Sequence, residues 1–173
     1  MSIETIPRYP IDKIISGGQT GADRAALDFA IARNLPYGGW LPRGRKTEDG
    51  ALDLKYRLQE MPTTDYAKRT EQNVIDADGT VIVSHGFPVA GSALTLEFTR
   101  RHDRPCLHID LKEISPEKAA EVLVSWLGEN RIRVLNVAGP RAGRDPAIYP
   151  AVMDLLERSI ENAGPVDVVL FDF

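Results

Sequence analysis

The feature that most constrains the fold of this chain is a regular alternation of short β-branched runs and helical patterns. The clearest run is TVIVS at residues 80–84, whose apolar character is typical of a strand buried on both faces. Apolar residues at positions 22, 25, 26, 29 and 30 recur instead at helix spacing. Such an alternation, with short connections, predicts an α/β fold: a three-layer sandwich with a mostly parallel central sheet.

The predicted strands cover residues 11–16, 37–41, 80–84, 105–110, 131–136 and 166–173. The predicted helices cover residues 22–33, 65–77, 92–102 and 116–127, and a last helix begins near residue 145 or 149 and ends at Gly164. Residues 42–53 are predicted as a surface loop. The chain shows no repeat and no composition shift, so we expect residues 1–173 to form one ligand-binding domain.

Composition excludes several classes of protein. The net charge of −4 argues against a nucleic-acid binder, which usually carries a basic stripe. No stretch approaches the ~20 apolar residues that cross a membrane. The first ten residues lack the apolar core of a signal peptide. The single cysteine, Cys106, cannot form an internal disulfide, so we expect a cytoplasmic protein.

The loop at residues 16–21, Ser-Gly-Gly-Gln-Thr-Gly, follows the first predicted strand and opens into a helix. Ligands of open parallel sheets bind beyond the carboxyl ends of the strands. Glycines let a backbone approach a ligand closely, and the free amides at a helix start favour an anion. We therefore expect a phosphate to bind at Gly17, Gly18, Gln19, Thr20 and Gly21. The alternative is a glycine-rich turn without a ligand.

A second candidate loop begins the helix at residues 92–102. Gly91 and Ser92 lie at its start, and Glu97 follows about one and a half turns later. Glu97 could accept hydrogen bonds from a ribose or an amino group, or it could simply be a solvated helix residue.

A third loop follows the strand at residues 131–136 and carries Gly139, Pro140 and Arg141. Guanidinium groups bind oxyanions in a bidentate way, so Arg141 and, after the second strand, Arg43 are candidate phosphate contacts. Arginines on a surface also serve solubility alone. Glycines and cations on several loops at one sheet edge favour a shared binding pocket.

The sequence shows no pattern typical of a metal site or of a catalytic nucleophile. The three histidines are scattered, and no His/Cys spacing typical of a metal site appears. There is no Gly-x-Ser-x-Gly motif, and the adjacency of Ser84 and His85 does not make a catalytic dyad. We expect no metal ligated directly by the protein.

Together, these segments resemble the molybdenum carrier family. The likeness covers residues 16–28 (SGGQTGADRAALD), 38–45 (GGWLPRGR), 48–50 (EDG), 69–70 (RT), 73–74 (NV), 76–80 (DADGT), 91–98 (GSALTLEF) and 135–141 (LNVAGPR). That family resembles a circularly permuted branch of a Rossmann-like superfamily, which also includes molybdenum-cofactor carriers, phosphoribohydrolases mislabelled as lysine decarboxylases, and nucleotide sensors. The resemblance implies a Rossmann-like fold and a pocket for a phosphorylated nucleotide or a molybdopterin-type ligand.

Three functions follow from this resemblance. The first is a carrier or binding protein for a phosphorylated small molecule, with Asn73 and Glu97 reading its polar edges. The second is a hydrolase of N-glycosidic or phosphate bonds with Glu97 as general acid or base. Only Gly91 and Glu97 match the hydrolase pattern Pro-Gly-Gly-x-Gly-Thr-x-x-Glu outright, which weakens that alternative. The third is a nucleotide-sensing regulatory module.

We also expect a homo-oligomer, either a dimer or a tetramer. The apolar segment at residues 166–173 could add a sheet edge or form a subunit contact.

Overall fold

The computed structural model describes residues 2–6, 9–164 and 166–170. The helices are α1 (Ala22–Ala32), α2 (Tyr66–Asp76), α3 (Gly91–Arg101), α4 (Pro116–Glu129) and α5 (Ile148–Ala163). The strands are β1 (Ser2–Ile6), β2 (Lys13–Ile15), β3 (Tyr37–Gly38), β4 (Trp40–Leu41), β5 (Lys46–Thr47), β6 (Gly50–Ala51), β7 (Gln59–Glu60), β8 (Gly79–Ser84), β9 (Cys106–Asp110), β10 (Val134–Ala138) and β11 (Val166–Leu170).

The central sheet has five strands in the order β3-β2-β10-β8-β9, and every neighbouring pair is parallel. In the middle of the sheet, Leu135 of β10 lies opposite Ile14 of β2 on one side and Gly79 of β8 on the other. This arrangement confirms the predicted Rossmann-like layered α/β fold. It also brings the segments that follow β2, β10 and β8 to the same edge of the sheet, although they are distant in sequence.

The main core lies between one face of the sheet and helices α1, α4 and α5. Small residues on α1 (Ala22, Ala25, Ala26 and Ala30) are fully buried, and they let this helix lie close to the strands. Alternate strand residues point to the opposite face, where α2 packs against α3. There the buried strand residues include Thr80 and Asn136, so this side of the sheet is polar where it approaches its carboxyl edge.

Two of the described helices begin with a side-chain cap. Asp65 accepts a hydrogen bond from the Ala67 amide (2.8 Å) at the start of α2, and Ser115 accepts one from the Lys118 amide (3.2 Å) at the start of α4. The fifth predicted strand, at residues 131–136, begins later than expected, at Val134. Arg131 has a positive φ of 54°, so the turn that leaves α4 occupies the first predicted positions.

Two segments differ from the sequence prediction. The strand predicted at residues 37–41 is split by Gly39, whose φ is +133°, so that β3 joins the central sheet and β4 pairs with β7. The predicted loop at residues 42–53 contains the antiparallel hairpin of β5 and β6. This hairpin crosses above the segment that follows β2.

The predicted terminal strand is present as β11, which pairs with β1 in an antiparallel two-stranded sheet. Residues 171–173 lie outside the described residues. The role of residues 166–173 in a subunit contact stays a prediction. Among the described residues, no helix has both the length and the apolar character needed to span a membrane.

The loop after β2 approaches the loop after β10 closely at Gly21. We predict that Gly21→Ala destabilises the fold. Its φ is +80°, and a Cβ at this position would lie 2.5 Å from the Pro140 carbonyl oxygen. Backbone strain and the steric clash together should lower the free energy of unfolding by about 2–4 kcal/mol, measured by denaturant titration. Gly128→Ala is the control, because a Cβ there meets open space in α4, and it should raise stability by up to ~1 kcal/mol. Equal stability of the two variants would contradict the close approach at Gly21.

Candidate functional site

A cavity of about 90 Å³ lies at the carboxyl ends of β2 and β10, beside α2 and the start of α3. Its walls come from the segments after β2, β8 and β10 and from α2. The residues that line it are Gly17, Gln19, Asp23, Arg69, Thr70, Asn73, Val89, Ala90, Gly91, Ser92, Thr95, Asn136, Val137, Ala138, Gly139, Pro140, Arg141 and Arg144. We call this space the inner cavity. Its charged lining residues are three arginines and one aspartate, so its charge favours an anion.

Arg69 reaches from α2 into the base of the inner cavity and is 7% exposed. Its Nη1 donates a hydrogen bond to the Gly17 carbonyl oxygen and lies 3.8 Å from Oδ2 of Asp23. Burial lowers the pKa of Arg69, while the carboxylate of Asp23 acts in the opposite direction. Arg69 therefore ties α2 to the segment after β2 and supplies a buried positive charge to the cavity.

Asp23, in the first turn of α1, is the buried acid of the inner cavity. Its side chain is 13% exposed, and Oδ2 accepts a hydrogen bond from the Gln19 amide at 3.3 Å. Burial raises the pKa of Asp23 from 3.8 to about 6, although Arg69 and the Gln19 amide both favour the charged form. The electropositive start of α1 thus faces a carboxylate of the protein itself.

Most backbone amides of the glycine-rich loop are already used within the protein, contrary to the prediction from the sequence. The Gly18 amide donates to Ser16 Oγ (3.3 Å), the Gln19 amide to Asp23, and the Thr20 amide to Gln19 Oε1 (3.1 Å). Gln19 Oε1 also accepts the Glu48 amide of the hairpin (2.9 Å). These bonds make the loop a fixed wall of the cavity rather than a row of free amides.

Four buried polar side-chain atoms have no hydrogen-bond partner among the described residues. Three of them, Gln19 Nε2, Arg69 Nε and Ser92 Oγ, belong to residues that line the inner cavity, and the fourth, Arg24 Nε, does not. Each of the three cavity residues is less than 9% exposed. A buried polar group without a partner costs about 1–3 kcal/mol, so such groups are rare in a folded protein unless another molecule satisfies them. All three can donate a hydrogen bond, which is the arrangement that an oxyanion requires.

The start of α3 forms one rim of the inner cavity. Ala90, the residue before the helix, has a positive φ of 48°, and Gly91 is exposed at the rim. Ser92 is 4% exposed, and its amide donates to the Val89 carbonyl oxygen at 3.1 Å. The hydroxyl of Ser92 therefore lies at the N-terminal end of α3, where the helix dipole favours negative charge.

Two asparagines line the cavity but act on the protein itself. Asn73 Oδ1 accepts the Trp40 amide (2.8 Å), and Asn73 Nδ2 donates to the Trp40 carbonyl oxygen (3.2 Å). Asn136 Nδ2 donates to Thr80 Oγ1 at 3.2 Å. Asn73 thus holds β4 in place instead of presenting its amide to a ligand.

Arg141 and Arg144 lie at the mouth of the inner cavity, and both are exposed. Arg141 Nε is 3.8 Å from Glu48 Oε2, and Glu48 also accepts the Gly143 amide at 2.8 Å. The hairpin residue Glu48 therefore holds the segment after β10 close to the segment after β2.

A wider cleft of about 420 Å³ opens beside the inner cavity. The two spaces share Val89, Ser92, Pro140 and Arg144, and the cleft is lined in addition by Ser84, His85, Phe87, Pro88, Lys112, Asp145 and Ala147. We call this space the outer cleft. Its walls are partly apolar, and the side chain of Phe87 is 91% exposed at its edge.

The structure brings eight of the predicted site residues to the inner cavity: Gly17, Gln19, Asn73, Gly91, Ser92, Gly139, Pro140 and Arg141. It does not bring five others there: Gly18, Thr20, Gly21, Arg43 and Glu97. The Glu97 side chain is 62% exposed and pairs with Arg101 at 2.9 Å on the surface of α3. The Arg43 side chain is exposed as well.

Sequence reasoning missed the two residues with the most unusual environments, Asp23 and Arg69. A signal for Arg69 was available, because Arg69, Asn73 and Val74 fall on one face at helix spacing and are the buried residues of α2. No local pattern marks Asp23 as buried, since its burial depends on Arg69 from a different helix. Among the described residues, no group of three or more His, Cys, Asp or Glu side chains could hold a metal ion.

We predict that Asp23→Asn stabilises the protein at neutral pH. Because the pKa of Asp23 is higher in the folded protein (about 6) than its ordinary value of 3.8, the folded state binds this proton more tightly. The stability of the parent protein should therefore fall as pH rises from about 4 to 6, by up to about 3 kcal/mol, and Asp23→Asn should escape this loss. Denaturant titrations at pH 4 and pH 7.5 measure the difference, which should be near zero at the lower pH.

Asp103→Asn is the matched control, because Asp103 is exposed and has a positive φ of 51° that asparagine also tolerates. It should leave the pH dependence unchanged. An Asp23→Asn variant that is less stable than the parent protein at pH 7.5 would contradict the account, since it would show that the charged carboxylate is needed to support Arg69.

Comparisons with known proteins agree with this architecture. The family model described as the circularly permutated YpsA SLOG family matches residues 14–160. Among solved structures, the chain is 62% identical to a "putative molybdenum carrier protein" from Syntrophus aciditrophicus SB, with a TM-score of 0.86 over 87% of this chain and 95% of that chain. A search among curated proteins finds no match. The described fold and the family model together show that this chain belongs to the circularly permutated YpsA SLOG family.

Proposed function

We propose that the protein is a binding protein for a small molecule that carries a phosphate or a related oxyanion, with that group in the inner cavity. The observation that carries this proposal is that three residues lining one small cavity each hold a buried polar atom without a hydrogen-bond partner: Gln19 Nε2, Arg69 Nε and Ser92 Oγ. A bound oxyanion would accept a hydrogen bond from each of them and would remove their desolvation cost.

Charge supports an anionic group. Arg69, Arg141 and Arg144 line the inner cavity against the single acid Asp23. Burial raises the pKa of Asp23 to about 6, so this acid is still mostly ionised at neutral pH, and the three arginines outweigh its single negative charge. Hydrogen bonds to a charged oxyanion are worth roughly 1.5–3 kcal/mol each, so three donors can support a specific complex.

The volumes of the two spaces favour a ligand that joins an oxyanion group to a larger organic part, which we call its body. The inner cavity, at about 90 Å³, suits one oxyanion group and is well below the ~300 Å³ at which pockets for whole organic ligands begin. The outer cleft, at about 420 Å³, falls within that range and opens beside Ser92 and Arg144. We therefore place the oxyanion in the inner cavity and the organic body of the ligand in the outer cleft.

A molybdopterin-type cofactor or a nucleotide fits this division, because each joins a planar heterocycle to a phosphate. The name of the Syntrophus relative, a molybdenum carrier, favours the first as cargo. The residues of the site fit such a cofactor through its phosphate, since they are hydrogen-bond donors and cations rather than metal ligands. A molybdenum atom would then be held by the cofactor, and the protein would bind the organic part.

The hydrolase function that rests on Glu97 gains no support from the geometry, because that side chain points away from the inner cavity toward Arg101.

A homo-oligomer and a cytoplasmic location remain predictions. Native mass spectrometry of the purified protein tests the oligomer and the ligand together. We expect a bound species that carries a phosphate group, with pterin fluorescence after oxidation if the cofactor is the cargo.

We predict that Ser92→Ala separates binding from stability. Since Ser92 Oγ is buried and has no partner in the protein, its removal relieves a desolvation cost and should raise the free energy of unfolding of the ligand-free protein by about 1 kcal/mol. Loss of one hydrogen bond to a charged oxyanion should weaken the binding of adenosine monophosphate or inorganic phosphate by roughly 10-fold or more, measured by isothermal titration calorimetry.

Ser125→Ala is the matched control, because Ser125 Oγ bonds to Glu129 on the exposed surface of α4. It should change neither affinity nor stability appreciably. Equal affinities of Ser92→Ala and the parent protein for both probes would refute the assignment of the inner cavity as the oxyanion site.

A further inference from the structure

The outer cleft contains one group that binding alone does not require. His85 follows β8, and its Nδ1 lies 2.7 Å from Oδ2 of Asp145. The His85 side chain is 27% exposed and lines the outer cleft. Because an ionised carboxylate can only accept a hydrogen bond, Nδ1 is the donor, and Nε2 has no partner among the described residues. A histidine held by a carboxylate in this way is the usual form of a proton-transferring group.

Asp145 is itself fixed, so the orientation of His85 is fixed with it. The Asp145 amide donates to the Arg141 carbonyl oxygen (3.0 Å), and Asp145 Oδ1 accepts the Ala147 amide (3.1 Å) just before α5. The ring of His85 is thereby attached to the same segment that carries Arg141 and Arg144 to the inner cavity. The other charged side chains that line the outer cleft are Lys112 and Arg144.

The neighbouring serine is not a nucleophile for this histidine. Ser84 Oγ donates to the Gly86 carbonyl oxygen at 2.6 Å and lies 2.7 Å from Nε2 of His108, which therefore donates to it. The hydroxyl proton of Ser84 is already used, so water is the nucleophile that the site can offer.

The placement of the two spaces singles out one bond of the ligand. If the oxyanion occupies the inner cavity and the body occupies the outer cleft, the bond that joins them passes Ser92, Pro140 and Arg144, which line both spaces. His85 lies on the side of the body, and Asp23 lies within the inner cavity on the side of the oxyanion.

We propose that this chain is also a phosphate-ester hydrolase in which His85 is the general acid for the leaving group and Asp23 is the general base for water. This inference rests on the proposed binding of a phosphate ester across the two spaces. Water attacks phosphorus from the side of the inner cavity and gives its proton to the Asp23 carboxylate. The bond from phosphorus to the ester oxygen breaks, its electron pair stays on that oxygen, and His85 Nε2 supplies the proton that makes the alcohol. Inorganic phosphate is the other product, and the two residues exchange protons with solvent before the next turnover.

The charge environment suits both roles. Burial raises the pKa of Asp23 to about 6, so that it is a stronger base than an exposed aspartate and is still mostly ionised at pH 7.5. The carboxylate of Asp145 stabilises the positive charge that the ring of His85 carries when both nitrogens hold protons. Asp145 is a positioning residue in this scheme, because it acts through His85.

Leaving-group chemistry gives the sharpest test. Adenosine monophosphate releases an alkoxide and needs a general acid, whereas 4-nitrophenyl phosphate releases a stable phenolate and barely needs one. His85→Asn keeps an amide near the position of Nδ1, which can still donate to Asp145, and removes Nε2. We expect it to lower kcat for phosphate release from adenosine monophosphate by about 10²- to 10⁴-fold. For 4-nitrophenyl phosphate the loss should be less than about 10-fold, and the affinity for adenosine monophosphate should be retained.

Asp145→Asn should lower kcat for adenosine monophosphate while KM stays within about threefold, because it disturbs the orientation of His85 and not the oxyanion site. His102→Gln is the matched control: His102 forms a similar pair with Glu71 (2.8 Å) but lies outside both spaces. It should turn over both probes like the parent protein.

The outcomes separate this inference from the proposed function. Adenosine monophosphate that binds to the parent protein without release of phosphate would overturn the hydrolase and leave the binding function intact. Equal losses of kcat for the two probes in His85→Asn, or no loss at all, would also overturn it. Failure of adenosine monophosphate and inorganic phosphate to bind would instead contradict the proposed function itself.

Discussion

The interaction on which the rest of the site depends is the contact of Arg69 with Asp23 and the Gly17 carbonyl oxygen. It joins α2 on one face of the sheet to the start of α1 on the other, across the carboxyl edge of β2. A buried guanidinium is costly unless its donors are used, and here one edge of the group is satisfied while Nε is not. The fold thus holds the positive charge of Arg69 in place and leaves its Nε without a hydrogen-bond partner, which in the proposed function is supplied by the ligand.

The hydrogen bonds of the glycine-rich loop follow the same pattern, because three of its backbone amides already have partners within the protein. The amides of Gly18, Gln19 and Thr20 donate to Ser16, Asp23 and Gln19, and these bonds hold the loop against the start of α1. In the proposed function, the donors for an oxyanion are side chains on three separate segments, namely Gln19, Arg69 and Ser92. A site of this kind is preorganised, since binding an anion requires no reordering of the backbone.

The sequence was sufficient for the layered α/β fold and for the segments that border the inner cavity, because strand patterns, helix caps and the parallel-sheet rule are local or topological. Gly91 and Ser92 could be placed at a helix start facing the site for that reason. Helix spacing could have placed Arg69 on the buried face of α2, but its contact with Gly17 could not be predicted, because Gly17 is 52 residues away in sequence. Glu97 was misleading because helix spacing alone does not fix which way an exposed side chain turns, and its pairing with Arg101 turns it away from the cavity.

The central claim is that an oxyanion completes the inner cavity, and a crystal structure with molybdate tests it most directly. Molybdate is a tetrahedral oxyanion whose metal can be located by anomalous scattering. The account predicts one strong anomalous peak in the inner cavity, with oxygens within hydrogen-bonding distance of Ser92 Oγ, Arg69 Nε and Gln19 Nε2. An empty inner cavity at saturating molybdate, or a peak confined to the exposed arginines outside it, would contradict the account.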